Sequence, residues 1–416
     1  MVPMQARKAS LLFVFCTIAL DSIGIGIIIP ALPDVVRRFV TGEADVSKIY
    51  GYFIAIYALL QFLSSPLLGG LSDRFGRRPV LLVSLLGAAI DYFFMAFAPT
   101  LPLLFLGRIV SGITGASYTV ASAYIADISD DSNRTKNFGV IGAGFGLGFI
   151  IGPAIGGFLA SYGSQYPFLA AGAFNLMNFL FGLFVLPESL PPEKRRKIRA
   201  AALNPIASLI KVLRMPAIRT LIVVYVLLHL AGQTHPSIWT LYTQHRYGWS
   251  TAEVGLSLAA VGLLSAATQA GLAGILVAKL GEARVLVYGA LGEAVSFALF
   301  GLAYQGWMLY AILLFSCVFW SIQPAIQSLI SREVPAHEQG ELQGSLMSLA
   351  SLTGIVNPLI MTWLFAATSD RSSSNYLPGS PYLLSGGLIL VGWMLAARWN
   401  RNRLGAAQVA AGAPVT

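Results

Sequence analysis

Twelve stretches long and apolar enough to cross a lipid bilayer follow one another along this chain, and nothing else in the sequence narrows its possible folds as far. At 1.5 Å rise per residue, a helix needs roughly 20 apolar residues to cover about 30 Å of hydrocarbon. The candidate spans are 9–30, 46–69, 79–98, 101–126, 137–160, 167–186, 218–240, 252–278, 284–304, 307–331, 342–368 and 380–398. Links as tight as Ala98-Pro99-Thr100 and Tyr304-Gln305-Gly306 make neighbouring spans antiparallel. An all-α membrane protein of two six-helix bundles is expected.

Composition agrees. Only 11% of the 416 residues are charged, whereas a soluble domain carries about 25%. Mean hydropathy is +0.72, so lipid is the main solvent. The net charge of +9 does not point to nucleic acid, because the basic residues lie between apolar runs and not on one folded surface. The first apolar run follows Arg7 and Lys8 like a signal peptide, but it continues to Pro30 with no small-residue cleavage site, and it reads as span 1. Cys16 and Cys317 both fall inside apolar runs. Packing, and neither a disulfide framework nor a Cys-based metal site, is their expected role.

Lys and Arg are concentrated before span 1, in the even-numbered loops and after span 12. The other side holds only Arg37, Arg38, Lys48, Arg246 and Arg371. The positive-inside rule then predicts cytoplasmic termini. The longest polar stretch, 187–217, holds Lys194-Arg195-Arg196-Lys197 and then an amphipathic segment. It divides the chain into 1–186, the linker 187–217, a second bundle 218–398 and a tail 399–416. A shift of 205 residues lays Gly69 on Gly274, Gly76 on Gly281, Gly139 on Gly344 and Pro153 on Pro358. One offset serving several places identifies the halves as a duplicated unit, which predicts a pseudo-two-fold axis along the membrane normal and a central cavity.

Between spans 2 and 3 stands Gly69-Gly70-Leu71-Ser72-Asp73-Arg74-Phe75-Gly76-Arg77-Arg78-Pro79, read as a loop. Its glycines permit a tight reversal, and one acid among three arginines can form an ion-pair latch; the arginines alone would also follow from topology. In span 4, Arg108 lies about 10 Å inside the boundary and needs a partner or an aqueous cavity unless it snorkels. Span 5 carries Gly144, Gly148, Gly152 and Gly156 in steps of four beside Pro153. That spacing gives one smooth helical face for another backbone, whether for generic packing or for a directional device. Leu349, Thr353, Asn357 and Met361 at the equivalent positions lack it.

Asp21, Asp91 and Glu293 lie inside apolar spans. Counted from the helix ends, the two aspartates are about 18 Å deep and Glu293 about 14 Å. Such groups form either a structural ion-pair network or a proton relay with a cation-binding surface. His229 and His235, in and beside span 7, could titrate usefully or simply pack, whereas His245 and His337 are expected to be solvated.

The 69–79 pattern, Arg108 to Gly115 and the Gly148 to Gly157 run resemble the signature motifs of the major facilitator superfamily. Ala19 to Gly26, Ser72 to Ser84, Asp91-Tyr92, Gly107 to Gly115, Ala123 to Asp127, Ala231-Gly232-Gln233, Gly281-Glu282 and Leu342 to Leu346 resemble more specifically the class A and class B tetracycline efflux proteins. The resemblance implies a gating latch at Gly69, Asp73, Arg74, Gly76, Arg77 and Arg78. It implies an antiporter motif at Gly148, Gly152, Pro153 and Gly156. Asp21, Asp91 and Glu293 fall where that family exchanges a metal–tetracycline cation against a proton. The candidate proton-coupling and substrate set is Asp21, Asp91, Arg108, Glu293, Gln233, Gln61 and His235. Two departures stand out: a glutamate in span 9 in place of an aspartate, and Ser265 in span 8 where a histidine is usual.

A proton-coupled exporter of small amphipathic molecules in the inner membrane, working as a monomer, is therefore expected, of the tetracycline or multidrug type. Its partners would be the substrate, protons and the bilayer. No catalytic residue, resident metal or cofactor is expected, apart from a divalent cation carried with the substrate. Export of a metabolite or siderophore, an uptake symporter and a non-transporting receptor on the same fold remain the alternatives.

Overall fold

The computed structural model describes residues 4–115, 117–129, 134–195, 218–335 and 339–410. The amphipathic end of the 187–217 linker and His337 fall outside them. Among the described residues twelve helical stretches are long and apolar enough to cross a membrane, and their bounds lie within a few residues of those read from the sequence except where polar helix ends extend them. The chain is a multi-pass membrane protein. Large side chains such as Leu12 (63% exposed), Leu263 (63%) and Phe184 (82%) face outward, a costly surface in water and the natural one in lipid.

The first half comprises α1 (Met4–Ile28), the short α2 (Leu32–Arg37), α3 (Glu43–Phe75), α4 (Arg77–Phe97), α5 (Leu101–Thr114), α6 (Ser117–Ile128), α7 (Arg134–Ala160) and α8 (Tyr166–Val185). The second comprises α9 (Arg219–Gly232), α10 (Thr234–Tyr247), α11 (Thr251–Ala267), α12 (Ala273–Leu280), α13 (Glu282–Leu302), α14 (Gly306–Ser316), α15 (Ile322–Arg332), α16 (Gln339–Thr368) and α17 (Ser380–Ala410).

Spans 4, 7 and 10, expected as continuous helices, are interrupted: after Thr114, at Gln233 and by a 3-10 segment Cys317–Ser321. Broken backbone survives at membrane depth only where side chains replace the lost hydrogen bonds. At the first break, Gln61 Nε2 donates to the Gly115 carbonyl at 3.0 Å. At the second, Asn357 Nδ2 donates to the Leu230 carbonyl at 2.6 Å and to Thr234 Oγ1 at 3.0 Å, and Ser237 Oγ donates to Asn357 Oδ1 at 2.8 Å. The 205-residue repeat extends to these breaks: it carries Gly115 into the Cys317–Ser321 segment, and Ile28, the end of α1, onto Gln233.

The chain forms two compact units: residues up to 205 with Thr243–Leu263, and Ile206–Tyr242 with Leu264 onward. The core of the first gathers Phe13 and Ile18 of α1, Leu81 of α4, and Tyr124 and Ile125 of α6.

Candidate functional site

The region read as a loop between spans 2 and 3 is almost entirely helical. Residues 69–75 are the last turns of α3, Arg77 opens α4, and the reversal is the single residue Gly76 at φ +108°, a conformation that favours glycine. Arg77 is buried and accordingly well partnered. Its guanidinium meets Asp73 Oδ1 at 2.5 Å, Asp127 Oδ2 at 3.0 Å and Ser72 Oγ at 2.7 Å. Glu188, beyond α8, accepts the backbone N–H groups of Arg77 at 2.8 Å and Arg78 at 3.2 Å, so an anion caps the N-terminus of α4 where the helix dipole favours it. Arg78 donates to the Leu183 carbonyl at 2.5 Å, Arg74 lies over the Phe75 ring, and the Gly69 carbonyl accepts Ser72 Oγ. This cluster thus joins α3, α4, α6 and the segment after α8. Asp127 and Glu188 are members that motif reading does not assign to it.

Asp73→Asn is expected to slow transport several-fold with little loss of stability. The Asp73 side chain is 47% exposed, so solvent screens its charge, and Asp127 and Ser72 still hold the buried Arg77. Transport rate and thermal unfolding measured on one preparation check this; an unchanged rate removes the latch.

Deeper in the same unit, a cavity of about 250 Å³ is lined by Asp21 and Ser22 of α1, Tyr57 and Gln61 of α3, and Tyr92, Arg108, Ser117 and Tyr118, among others. Asp21, Gln61 and Arg108 are thereby brought together. Asp91 is not on the wall. It is completely buried behind Arg108, whose Nε donates to Asp91 Oδ1 at 3.2 Å while a terminal guanidinium nitrogen pairs with the other oxygen. The guanidinium carbon also lies 5.1 Å from the Tyr57 ring centroid, a favourable cation–π placement. Arg108 therefore does not snorkel; it is the cover between the cavity and Asp91. Gly107 allows this, since a Cβ there would meet Asp91 Oδ1 at 2.8 Å.

Tyr57 and Ser117 were not singled out in the sequence. Tyr57 stands one turn from Gln61, whose Nε2 donates to the Tyr57 hydroxyl at 3.2 Å, and a polar pair at that spacing inside an apolar span is a legible signal. Ser117 Oγ donates to Asp21 Oδ2 at 2.6 Å.

The glycine face of α7 is used by α1. Cβ atoms at Gly148, Gly152 and Gly156 would run into the backbone of α1 between Ser22 and Ile27, and at Gly26 the Pro153 ring closes the contact. The stripe sets the depth of α1, and so of Asp21.

Glu293, Gln233 and His235 lie in the second unit. Glu293 is buried with Oε2 lacking a hydrogen-bond partner among the described residues. It shares a face of α13 with Phe297 and Phe300, whose rings lie 4.8 Å and 5.0 Å from that of His235; Trp239 and Tyr382 complete the surround. Gln233 is the joint between α9 and α10, its N–H donating to the His229 carbonyl at 3.1 Å. His229 Nδ1 lies 3.2 Å from the Tyr225 carbonyl. His245, expected to be solvated, has Nε2 shut off from solvent, because it lies in a folded helix end and not in a loop.

A family profile described as Major Facilitator Superfamily matches residues 14–358. The chain is 42% identical to the class C tetracycline resistance protein of Escherichia coli over 88% of this chain and 92% of that one. It is 38% identical to the class B protein of the same organism over 83% and 86%. Multidrug resistance protein 2 of Bacillus subtilis is 26% identical over 96% and 98%. In fold, a solved bacterial homologue of the human lysosomal transporter Spinster superposes with a TM-score of 0.76 at 16% identity, covering 95% of this chain and 98% of that one. A D-xylose–proton symporter superposes with 0.71 at 19%, covering 94% and 96%. Matched by that profile over most of its length and about 40% identical to the tetracycline resistance proteins, with twelve spans among its described residues, the chain belongs to the major facilitator superfamily.

Proposed function

We propose that this chain is a proton antiporter that exports tetracyclines, carried as a chelate with a divalent cation, and related amphipathic drugs. The observation that carries the reading is Asp91 sealed by Arg108, which stands on the wall of a cavity that Asp21 also lines. A buried pair of this kind is weak evidence for stability, and in a membrane span it marks a transport path. The relatives at about 40% identity are tetracycline resistance proteins, which supports the substrate class.

In this reading a cationic chelate enters the cavity beside the Asp21 carboxylate. Protonation of Asp91 on the other side of the cycle releases Arg108 from its partner, and the freed guanidinium repels a cation of like charge. Exchange of one for the other ties the drug to the proton. The chain sits in the inner membrane with both termini in the cytoplasm, on the strength of its Lys/Arg asymmetry, and works as a monomer. Glu293, Gln233 and His235 serve the same exchange from the second half of the chain.

Proteoliposomes of the purified protein, with an inward-acid pH gradient, are expected to accumulate tetracycline only when magnesium is present and to lose it when the gradient is collapsed. Accumulation that ignores the gradient overturns proton coupling; its absence for tetracycline and for a panel of amphipathic drugs overturns the substrate class.

A further inference from the structure

Serine and threonine hydroxyls inside membrane helices usually return to the carbonyl one turn back. Ser65 does so to Gln61 at 2.6 Å, Ser84 to Val80 at 3.1 Å, Thr114 to Val110 at 2.9 Å and Ser129 to Ile125 at 2.6 Å. Ser117 does not. It is the first residue of α6, immediately after span 4 is broken, so no helical turn precedes it in register. Its hydroxyl crosses instead to Asp21 Oδ2 on α1 at 2.6 Å. The same break leaves the Gly115 carbonyl without its helical N–H, and Gln61 takes it. One interruption thus supplies a donor to Asp21 and an acceptor to Gln61. Gln61 touches Tyr57, and the Tyr57 ring lies under Arg108, which holds Asp91. Ser117 thus reaches Asp21 from one side of the break, and contacts lead from Gly115 on the other side through Gln61, Tyr57 and Arg108 to Asp91.

We infer that Ser117 is a positioning residue for proton exchange, holding the Asp21 carboxylate in its ionised form toward the cavity, and that the break in span 4 exists to free its hydroxyl for this task. The inference rests on the antiport reading and adds to it a residue that sets the pH at which Asp21 takes up its proton. The start of a helix favours an anion as well. The other titratable or charged groups that face Asp21 are Tyr57 of α3, Tyr92 of α4, Arg108 of α5 and Tyr118 of α6, all on the same cavity wall. The helices packed behind it, α7 and α8, present Gly148, Gly152, Asn175 and Asn178, which do not titrate.

The test follows the carboxylic acid carbonyl band of the full-length protein in lipid by infrared difference spectroscopy, titrated from acid to alkaline pH. Asp21→Asn identifies the Asp21 band by its loss. In Ser117→Ala the ionised form loses its donor, so protonation persists to higher pH and the midpoint rises by about one unit. Ser117→Thr, which keeps the hydroxyl, is expected to restore the midpoint. Tetracycline–magnesium counterflow measured beside it should show the same upward displacement of its pH profile, with KM changed more than the maximal rate. An unmoved midpoint in Ser117→Ala, or a midpoint in Ser117→Thr displaced as far as in the alanine variant, overturns the assignment. Wild-type protein that moves no tetracycline overturns the proposed substrate while leaving the infrared titration to decide on Ser117.

Discussion

Asp91→Asn is expected to abolish gradient-driven transport, by about 100-fold or more for loss of a proton-transferring group, and to lower thermal stability at the same time. Sequence alone suggests a substitution that tests charge and spares packing. The ion pair changes that expectation. Asp91 is fully buried and its partner Arg108 is 7% exposed, so the asparagine keeps an acceptor oxygen but leaves the guanidinium without its paired counter-charge, against the Tyr57 face. Removing one member of a buried pair costs about 3–5 kcal/mol, because the charge left behind is desolvated and unmatched. Loss of transport in the single variant therefore mixes two effects. The double variant Asp91→Asn, Arg108→Gln separates them: two neutral amides recover most of the thermal stability, while proton-coupled transport stays absent. Recovery of transport together with stability would make the pair structural, and full transport in the single variant would remove Asp91 from the exchange altogether.

Most of the fold was legible because a membrane span is a one-dimensional signal. Hydrocarbon thickness fixes its length, so a hydropathy window finds its ends without knowledge of neighbours. The breaks in spans 4, 7 and 10 were not legible, since what permits them is a side chain far away in sequence. Gln61 stands 54 residues from Gly115, and Asn357 stands 127 from Leu230. The latch was half legible for the same reason: Asp73 and Arg77 are one turn apart, but Asp127 and Glu188 reach Arg77 from 50 and 111 residues away. In the candidate site, counting along helices placed Asp21 and Asp91 at one depth, but depth does not distinguish a carboxylate on a cavity wall from one sealed behind an arginine. That difference is angular, and the packing of α4 against α5 decides it through Gly107.

Gly156→Ala, Gly152→Ala and Gly148→Ala are each expected to remove most transport activity, whereas Gly146→Ala on the same helix leaves it near wild type. In lipid, helices gain no hydrophobic stabilisation from touching one another, and close backbone approach with its dispersion contacts must hold them together. Among the described residues the α1–α7 pair is the most extensive helix contact. A methyl group at Gly152 would lie 2.7 Å from the Ile23 carbonyl oxygen and 2.9 Å from Gly26 Cα, and at Gly148 it would lie 2.7 Å from Ile23 N. At Gly156 it would collide with the Ile27 carbonyl, and at Gly146 it would meet nothing within 4 Å. None of the atoms struck is the end of a flexible side chain, so relief requires α1 to move bodily. Overpacking of this kind costs about 1–3 kcal/mol, and α1 carries Asp21. Displacing it lengthens the 2.6 Å hydrogen bond from Ser117 and reshapes the cavity wall, so activity should fall further than stability does. Transport and thermal unfolding measured for the four variants decide the point: equal tolerance at all four positions would show that the stripe is not the seat of α1, and equal loss at Gly146 would show that α7 tolerates no substitution whatever it faces.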